Sequence, residues 1–393
     1  MIATRIAASP NQRVPFAVFM DWALYEPELG YYAAHRQKIG AGGDFVTSPH
    51  LGADFGELLA EQFLDFWRSL DRPALFHLLE MGAGQGLIAK DVLHYLSDRA
   101  KTSAEYAAFW QALQYIIVEK AAPLVQEQQF LLKAFAADKV TWKQWSDIPA
   151  ESIVGCCFSN ELVDAFPVHL VEVQAGQLHE VYVTIEADSS LPPFKEVLDM
   201  PSSPKLEVYL SALGIDLTTY PNGYRSEVGL AALDWLKTVA QKLSRGYVLT
   251  IDYGHTAAQY YSPQRDRGTL QCYYQQSHHN DPYWNIGHQD LTAHVNFTAL
   301  EQQGTRCGLE NIAFTQQGLF LMALGLGDRI YANTSANTTA SDLVQSLRRR
   351  DALHGLMNPL GLGGFGVLLQ GKSTVSSLRE YPFKGFTVSG AAF

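Results

Sequence analysis

Three alternating glycines stand between an apolar run and an amphipathic segment in "LLEMGAGQGLIAKDVLHYL", residues 78–96. A short continuous apolar run is typical of a strand that is buried on both faces of a parallel sheet. Gly82, Gly84 and Gly86 allow the chain to turn sharply into a helix while a ligand lies against the main chain. The segment therefore predicts a strand, a ligand-binding loop and a helix within a layered α/β fold.

Strands and helices continue to alternate along the chain. Apolar runs of strand length occur at "LFHLLE" (75–80), "QYIIVE" (114–119), "IVGCCF" (153–158) and "GYVLTID" (246–252). Helical segments separate them at 87–98, 121–135 and 227–243. This order predicts a doubly wound, Rossmann-like α/β sheet with parallel strands.

Two regions lie outside this alternation. Residues 1–73 are predicted to form an N-terminal helical region that includes the loop "GDFVTSP". Residues 168–225 contain a β-hairpin pattern, a Pro/Ser-rich loop and a helical part, and are predicted to be an inserted region on the substrate side. The core is then expected to comprise 74–167 and 226–393.

The spacing of the glycines bears on which ligand the loop binds. A dinucleotide fingerprint is GxGxxG, whereas here Leu87 stands where its third glycine belongs. Glu80 would repel a pyrophosphate, but it suits S-adenosylmethionine, which carries an ammonium and a sulfonium and no phosphate. Glu119 ends the second strand, where an acid can accept hydrogen bonds from both ribose hydroxyls. The residues favour S-adenosylmethionine; a nicotinamide dinucleotide and a purely structural turn are the alternatives.

The charge of the chain limits its partners. A net charge of −11 argues against duplex DNA or an anionic membrane, because both require a basic face. The basic run at 348–350 is predicted to solvate a helix, and no stretch approaches the roughly 18 apolar residues of a membrane span. The four cysteines form no CxxC pair, which fits a reducing, cytoplasmic setting.

Histidines and acids cluster in "SHHNDPYWNIGHQDLTAHV", residues 277–295. The cluster raises the possibility of a metal site, but it contains no HExxH or comparable ligand spacing. We therefore predict no metal and interpret the segment as an ordered loop that faces the substrate groove.

Six blocks of sequence, taken together, resemble a known family. They are "ALYEPELGYY", "GDFVTSP", "LLEMGAGQGLIAKDVL", "SNELVDAFPVH", "TIDYG" and "DLTAHVNFTAL". In this order they resemble the MidA family of class I methyltransferases, which includes the mitochondrial complex I assembly factor. The resemblance implies a seven-stranded methyltransferase sheet, S-adenosylmethionine as donor and an arginine of a partner protein as acceptor. Because the sequence lacks a transit peptide, we expect a bacterial-type cytoplasmic member.

The strand "IVGCCF" is predicted to deliver Asn160 and Glu161 to the ligand edge of the sheet, with Asp164 one helical turn later. A pair of carboxylates can grip a planar guanidinium and accept its proton, so we predict that these three residues are catalytic. The alternative is that the two acids only cap the following turn. Asp44 and Ser48 of the "GDFVTSP" loop are predicted to cover the methionine end of the cofactor, or else to form a flexible connector.

Three functions follow from these patterns. The first is a protein-arginine methyltransferase acting on a client such as a complex I-type subunit. The second is a nicotinamide-dependent oxidoreductase, and the third is an assembly chaperone that uses the methyltransferase fold as a scaffold. The sequence leaves open a homodimer and the identity of the acceptor.

Overall fold

The computed structural model describes residues 1–33, 47–135, 137–186, 193–334, 340–373 and 383–387. The chain divides into two compact units. Unit 1 comprises Met1–Phe45, Val163–Leu236 and Gly254–Gln303; unit 2 comprises Val46–Leu162, Lys237–Tyr253 and Gly304–Phe393. Residues 254–303 therefore belong with the hairpin region in unit 1, whereas the sequence analysis assigned them to the core.

The strands within the described residues are, in chain order, β1 (Arg13–Pro15), β2 (Phe76–Met81), β3 (Leu113–Val118), β4 (Val140–Trp142), β5 (Ile153–Asn160), β6 (His169–Gln174), β7 (Gln177–Ile185), β8 (Phe194–Asp199), β9 (Arg225–Val228), β10 (Leu243–Asp252), β11 (Gly254–His255), β12 (Gln271–Tyr274), β13 (Ser277–His279), β14 (Asp290–Thr292), β15 (Val295–Asn296), β16 (Glu310–Gln316) and β17 (Gly366–Lys372).

The α-helices are α1 (Ile2–Ala7), α2 (Phe16–Tyr25), α3 (Asp54–Ser69), α4 (Leu87–Ala100), α5 (Ala104–Ala112), α6 (Ala122–Leu131), α7 (Lys205–Ala212), α8 (Leu230–Lys242), α9 (Ala257–Tyr260), α10 (Phe297–Arg306), α11 (Gln317–Leu324), α12 (Leu326–Thr334) and α13 (Ala340–Met357). None of the helices in the described parts of the chain is long and apolar enough to cross a membrane.

Unit 2 is built on a seven-stranded sheet, which confirms the predicted fold class. Its strand order is β16-β17-β10-β5-β2-β3-β4. The five strands from β10 to β4 are mutually parallel, and β17 runs antiparallel to both of its neighbours. The apolar runs predicted as strands all lie in this sheet. Their carboxyl ends share one edge, where ligands bind in open α/β sheets.

The core of unit 2 follows from the same apolar runs. Leu78, Tyr115, Phe158 and Leu249 on four of the parallel strands are fully buried. Helix α3 places apolar side chains at helical spacing along one face, so that Phe55, Leu59, Phe63 and Phe66 pack into this core.

Unit 1 has a different architecture from unit 2. A five-stranded antiparallel sheet is formed by β7 with β1, β6 and β8, and by β6 with β9. The predicted hairpin at 168–185 is present as β6 and β7. Its apolar residues alternate, so that Val171 and Val173 pack against α7 and the segment that follows it.

The sequence analysis was wrong about several short elements. Residues 194–199 form strand β8, although the Pro/Ser-rich composition predicted a loop. The histidine-rich segment predicted as a loop contributes β13 and β14, which flank β12 in a three-stranded sheet. Helix α5 and strand β16 were not predicted. Ser48-Pro49 favours a helix start, but Ser48 begins a 3₁₀ turn, and the α-helix starts only at Asp54. Strands β8 and β16 form by pairing with β7 and β17, which the local composition of these segments does not indicate.

Candidate functional site

The glycine loop after β2 has the backbone geometry that its composition predicts. Gly82, Gly84 and Gly86 have φ angles of 66°, 53° and 81°, a left-handed conformation that favours glycine. Gly86 is the N-cap of α4. An added Cβ on Gly84 would meet nothing within 4 Å, whereas one on Gly82 would lie 2.5 Å from Cδ1 of Leu162. The loop therefore leaves open space at Gly84, as a ligand lying against the main chain requires.

Glu80 lies one residue before the end of β2 and is buried. The hydroxyl of Tyr115 on β3 donates a 2.6 Å hydrogen bond to its Oε2. Burial raises the pKa of Glu80 to about 8; the hydrogen bond from Tyr115 opposes this rise and the nearby Glu119 adds to it. The neutral carboxyl therefore predominates at pH 7 in the ligand-free protein. A bound cation, such as the ammonium of S-adenosylmethionine, favours the ionised carboxylate.

Glu119 follows β3 immediately and is buried except for a small exposed fraction. Its Oε1 accepts a 3.0 Å hydrogen bond from the Ala121 N–H, and its Oε2 accepts one of 3.4 Å from Nε2 of Gln128. Burial raises its pKa, and these hydrogen bonds act in the opposite direction. The carboxylate is therefore held in one orientation at the edge of the sheet, beside the glycine loop.

Gln128 on α6 connects the parts of this region and was missed by the sequence analysis. It is fully buried, and its Nε2 also donates a 2.7 Å hydrogen bond to the carbonyl oxygen of Gly84. Its Oε1 accepts a 3.0 Å hydrogen bond from Nε1 of Trp142, at the end of β4. A glutamine within a helix gives no sequence signal of such a role. The glycine loop, Glu119 and Trp142 become neighbours only through the sheet order β2-β3-β4.

The end of β5 carries the second part of the candidate site. Glu161 follows Asn160 with a φ angle of 50°, which is unusual for a residue with a side chain. Its Oε1 accepts hydrogen bonds from the main-chain N–H of Ser48, at 3.2 Å, and from Nδ2 of Asn160, at 3.1 Å. Backbone strain of this kind clusters at functional sites, so it points to a functional role for the Glu161 carboxylate.

Ser48, predicted to cover the cofactor, and Asn160, predicted to be catalytic, both contact Glu161. Ser48 is fully buried, and its Oγ accepts a 3.0 Å hydrogen bond from Nε2 of Gln317, a residue that the sequence analysis did not select. Oδ1 of Asn160 is buried and accepts no hydrogen bond from any described residue. Asp252 at the end of β10 accepts the N–H of Leu162 and thereby fixes the chain after Glu161.

Asp44 and Asp164 complete the set of predicted residues. Asp44 lies outside the described residues. Asp164 falls in unit 1, in the 3₁₀ turn Val163–Ala165, and its carbonyl accepts a 2.9 Å hydrogen bond from the Ala293 N–H. Burial raises the pKa of Tyr32, and the buried carboxylates of Asp290 and Asp164 add to this rise. The hydroxyl of Tyr32 donates a 3.0 Å hydrogen bond to Asp290. The predicted pairing of Glu161 with Asp164 stays a prediction.

The histidine-rich segment contains no candidate metal centre among the described residues, since no three His, Cys, Asp or Glu side chains converge there or in any other described segment. Instead, Nδ1 of His294 lies 3.0 Å from Nε2 of His255. Burial lowers the pKa of His255 to about 4; burial and the neighbouring His255 lower that of His294 to about 3. Both rings are therefore neutral at pH 7, and one donates to the other.

Comparison with known proteins agrees with this geometry. Residues 58–315 match a family model described as "Putative S-adenosyl-L-methionine-dependent methyltransferase". The chain is 28% identical over 332 residues to the Drosophila melanogaster protein arginine methyltransferase NDUFAF7 homolog, mitochondrial, covering 79% of this chain and 71% of that protein. It is 26% identical over 371 residues to the human protein arginine methyltransferase NDUFAF7, mitochondrial, covering 89% of this chain and 78% of that protein.

A solved structure supports the same assignment. A protein from Burkholderia thailandensis, crystallised bound to S-adenosyl-homocysteine, superposes with a TM-score of 0.82 at 29% sequence identity. The similarity covers 98% of this chain and 93% of that one.

Proposed function

The chain belongs to this S-adenosyl-L-methionine-dependent methyltransferase family, of the MidA type, and we propose that it methylates an arginine side chain of a partner protein. S-adenosylmethionine is its methyl donor, which favours a methyltransferase over the nicotinamide-dependent oxidoreductase. The names of the curated relatives support arginine as the acceptor. The observation that carries the proposal is the carboxylate of Glu161, which is fixed at the ligand edge of the sheet.

On the donor side, the residues present fit the cofactor. S-adenosylmethionine supplies an electrophilic methyl group on a sulfonium. We assign the space at Gly84 to the part of the cofactor that lies against the main chain, because a side chain there would have no neighbours. Gly82 and Gly86 shape the same loop. Glu119 accepts hydrogen bonds from the ribose hydroxyls, and Glu80 supplies negative charge for the ammonium.

On the acceptor side, a protonated guanidinium is a poor nucleophile, since the pKa of arginine is about 12.5 or higher. A positioned carboxylate must orient one nitrogen and receive its proton as the methyl group is transferred. Glu161 has this role in our proposal, and Ser48 and Asn160 hold its Oε1 in place. Asp164 is proposed as the second carboxylate of the fork that grips the guanidinium.

The proposal is tested by incubating a cell extract with the protein and methyl-labelled S-adenosylmethionine. Labelled polypeptides are then hydrolysed to amino acids and separated. We expect label in methylarginine with the wild-type protein and a background level with Glu161→Gln. Label confined to methyllysine, or equal label with both proteins, would contradict the proposal.

The identity of the partner is a finer part of the proposal. We propose a complex I-type subunit, as the MidA resemblance implies, and the labelled polypeptide in the same experiment identifies it. The cytoplasmic location and the homodimer remain predictions. The relatives are named as mitochondrial proteins, so fractionation of cells of the source organism is the appropriate test of location.

A further inference from the structure

We propose that Gln128 is a positioning residue that fixes Glu119 for the ribose, and that it thereby determines how strongly the protein prefers a ribose to a 2′-deoxyribose. The inference rests on the proposed role of Glu119 in cofactor binding. It is independent of the identity of the methyl acceptor.

The orientation of the Gln128 amide is dictated by its neighbours. The indole Nε1 of Trp142 can only donate, so the atom that faces it must be the amide oxygen. The NH₂ group then faces the opposite way, toward the carbonyl oxygen of Gly84 and the carboxylate of Glu119, which can only accept. In the reverse orientation, the amide NH₂ would face the indole N–H of Trp142, donor against donor. The amide oxygen would then face the acceptor oxygens of Gly84 and Glu119. One amide orientation therefore satisfies all three partners.

This arrangement has a direct consequence for Glu119. The carboxylate accepts hydrogen bonds from the Ala121 N–H on Oε1, at 3.0 Å, and from Gln128 on Oε2, at 3.4 Å. The main-chain groups of Lys120 and Gly84 also act on it. Loss of the Gln128 amide removes one restraint on the terminal torsion of Glu119, which is broad for glutamate, and also releases the main chain at Gly84, whose carbonyl it holds. A hydrogen bond to a ribose hydroxyl depends on the direction of the oxygen lone pairs, so rotation about this torsion weakens it.

The same amide also holds the glycine loop. Nε2 of Gln128 ties the Gly84 carbonyl, and an added Cβ on Gly86 would lie 3.2 Å from Cγ of Gln128. Gln128, which is fully buried, thus holds both the loop that leaves open space for the ligand and the acid proposed to bind the ribose. A residue that served only to fill the core would not need both of its amide atoms directed at groups of the binding region.

The test compares the affinities of S-adenosylhomocysteine and its 2′-deoxy analogue, measured by calorimetry for four proteins. They are the wild type, Glu119→Ala, Gln128→Met and Trp142→Phe. A charged hydrogen bond is worth about 1.5–3 kcal/mol, so the wild type is expected to prefer the ribose ligand by roughly 10- to 150-fold. Gln128→Met keeps the side-chain length and removes both hydrogen-bonding atoms. We expect it to reduce the preference to about threefold or less, with a smaller reduction in Trp142→Phe, which removes the donor that holds the amide oxygen.

Gln62→Met is the matched control, because Gln62 is an equally buried glutamine of unit 2 whose Oε1 accepts the N–H of Gly385. It should lower stability without changing the preference for ribose. If Gln128→Met weakens both ligands by the same factor, Gln128 has only a structural role and the inference fails. If Glu119→Ala retains the wild-type preference, the proposed role of Glu119 in binding the ribose is contradicted, and with it the premise of the inference. Should Gln128→Met not fold, Gln128→Leu, which also lacks both hydrogen-bonding atoms, takes its place: an unchanged preference in that variant overturns the inference.

Discussion

The hydroxyl of Tyr115 donates a 2.6 Å hydrogen bond to Oε2 of Glu80, between side chains on the neighbouring parallel strands β3 and β2. The acid is buried, so its proton is retained well above the ordinary pKa of a glutamic acid, to about 8. Ionisation of this carboxyl is costly in the ligand-free protein, and it becomes favourable once a cation binds beside the carboxylate.

The contribution of Glu80 to the stability of the ligand-free protein should therefore fall as pH rises from about 4.5 to 8. In this window the folded state binds a proton at Glu80 that the unfolded state has released, so a rise in pH favours unfolding. Glu80→Gln keeps an acceptor for Tyr115 and removes the ionisation. Its free energy of unfolding, measured in urea, should fall less, or rise more, between pH 5.5 and 8 than that of the wild type. Glu105→Gln is the control, because pairing with Arg68 lowers the pKa of Glu105 and removes it from this window.

Substitution Gly84→Val should abolish binding of S-adenosylmethionine and S-adenosylhomocysteine while the protein remains folded. The branched side chain would occupy the open space of the loop. A left-handed residue with a side chain costs about 1–2 kcal/mol. Gly308→Val is the matched control, since Gly308 also lies in unit 2 with a φ angle of 81° and nothing within 4 Å of an added Cβ. Equal calorimetric affinities in the two variants would contradict the assignment of this space to the cofactor.

Substitution Glu119→Ala should weaken cofactor affinity by roughly 10- to 150-fold, the equivalent of one hydrogen bond to a charged group. The physical reason is the loss of the carboxylate proposed to accept from the ribose. Glu105→Ala, which removes a surface acid of the same unit, should leave affinity unchanged. A dissociation constant of Glu119→Ala equal to that of the wild type would assign the ribose to another residue.

Substitutions Glu161→Gln and Asp164→Asn should reduce methyl transfer by about 10²- to 10⁴-fold, the usual contribution of a positioned acid or base. Cofactor affinity should persist, because both residues are assigned to the acceptor. A client with lysine in place of its acceptor arginine should not be methylated, since an ammonium lacks the planar fork of donors. Glu207→Gln on the exposed face of α7 is the control. Loss of cofactor binding in both variants would assign the two acids to the cofactor site. Full activity in both would show that the acids only cap the following turn.

Substitution Arg349→Ala should lower the free energy of unfolding by about 1–3 kcal/mol, because the guanidinium makes two hydrogen bonds, of 2.9 and 2.7 Å, to the buried carboxylate of Asp54. Arg329 binds the same carboxylate at 2.8 Å. Arg348→Ala, which removes an exposed charge next in the chain, should change stability much less. Equal effects in urea denaturation would show that the basic run only solvates its helix, as the sequence predicts.

The sequence by itself determined the sheet and the donor loop. Continuous apolar runs such as 153–158 are stable only when both faces are buried, and alternating glycines after an apolar run permit the left-handed turns found at 82, 84 and 86. These are local constraints, so they can be read from neighbouring residues. The acids at strand ends could be selected in the same way, because the direction of parallel strands fixes which edge they reach.

Only the tertiary structure decided how these residues are held. The contacts of Gln128 with Gly84, Glu119 and Trp142 arise from the strand order β2-β3-β4, and the bond between Ser48 and Glu161 joins residues 113 positions apart. Strand β16 likewise exists only because β17 pairs with it. Hydrogen bonds depend on distance and angle within a few tenths of an ångström, and spacing along a chain carries no such information about groups that folding alone brings together.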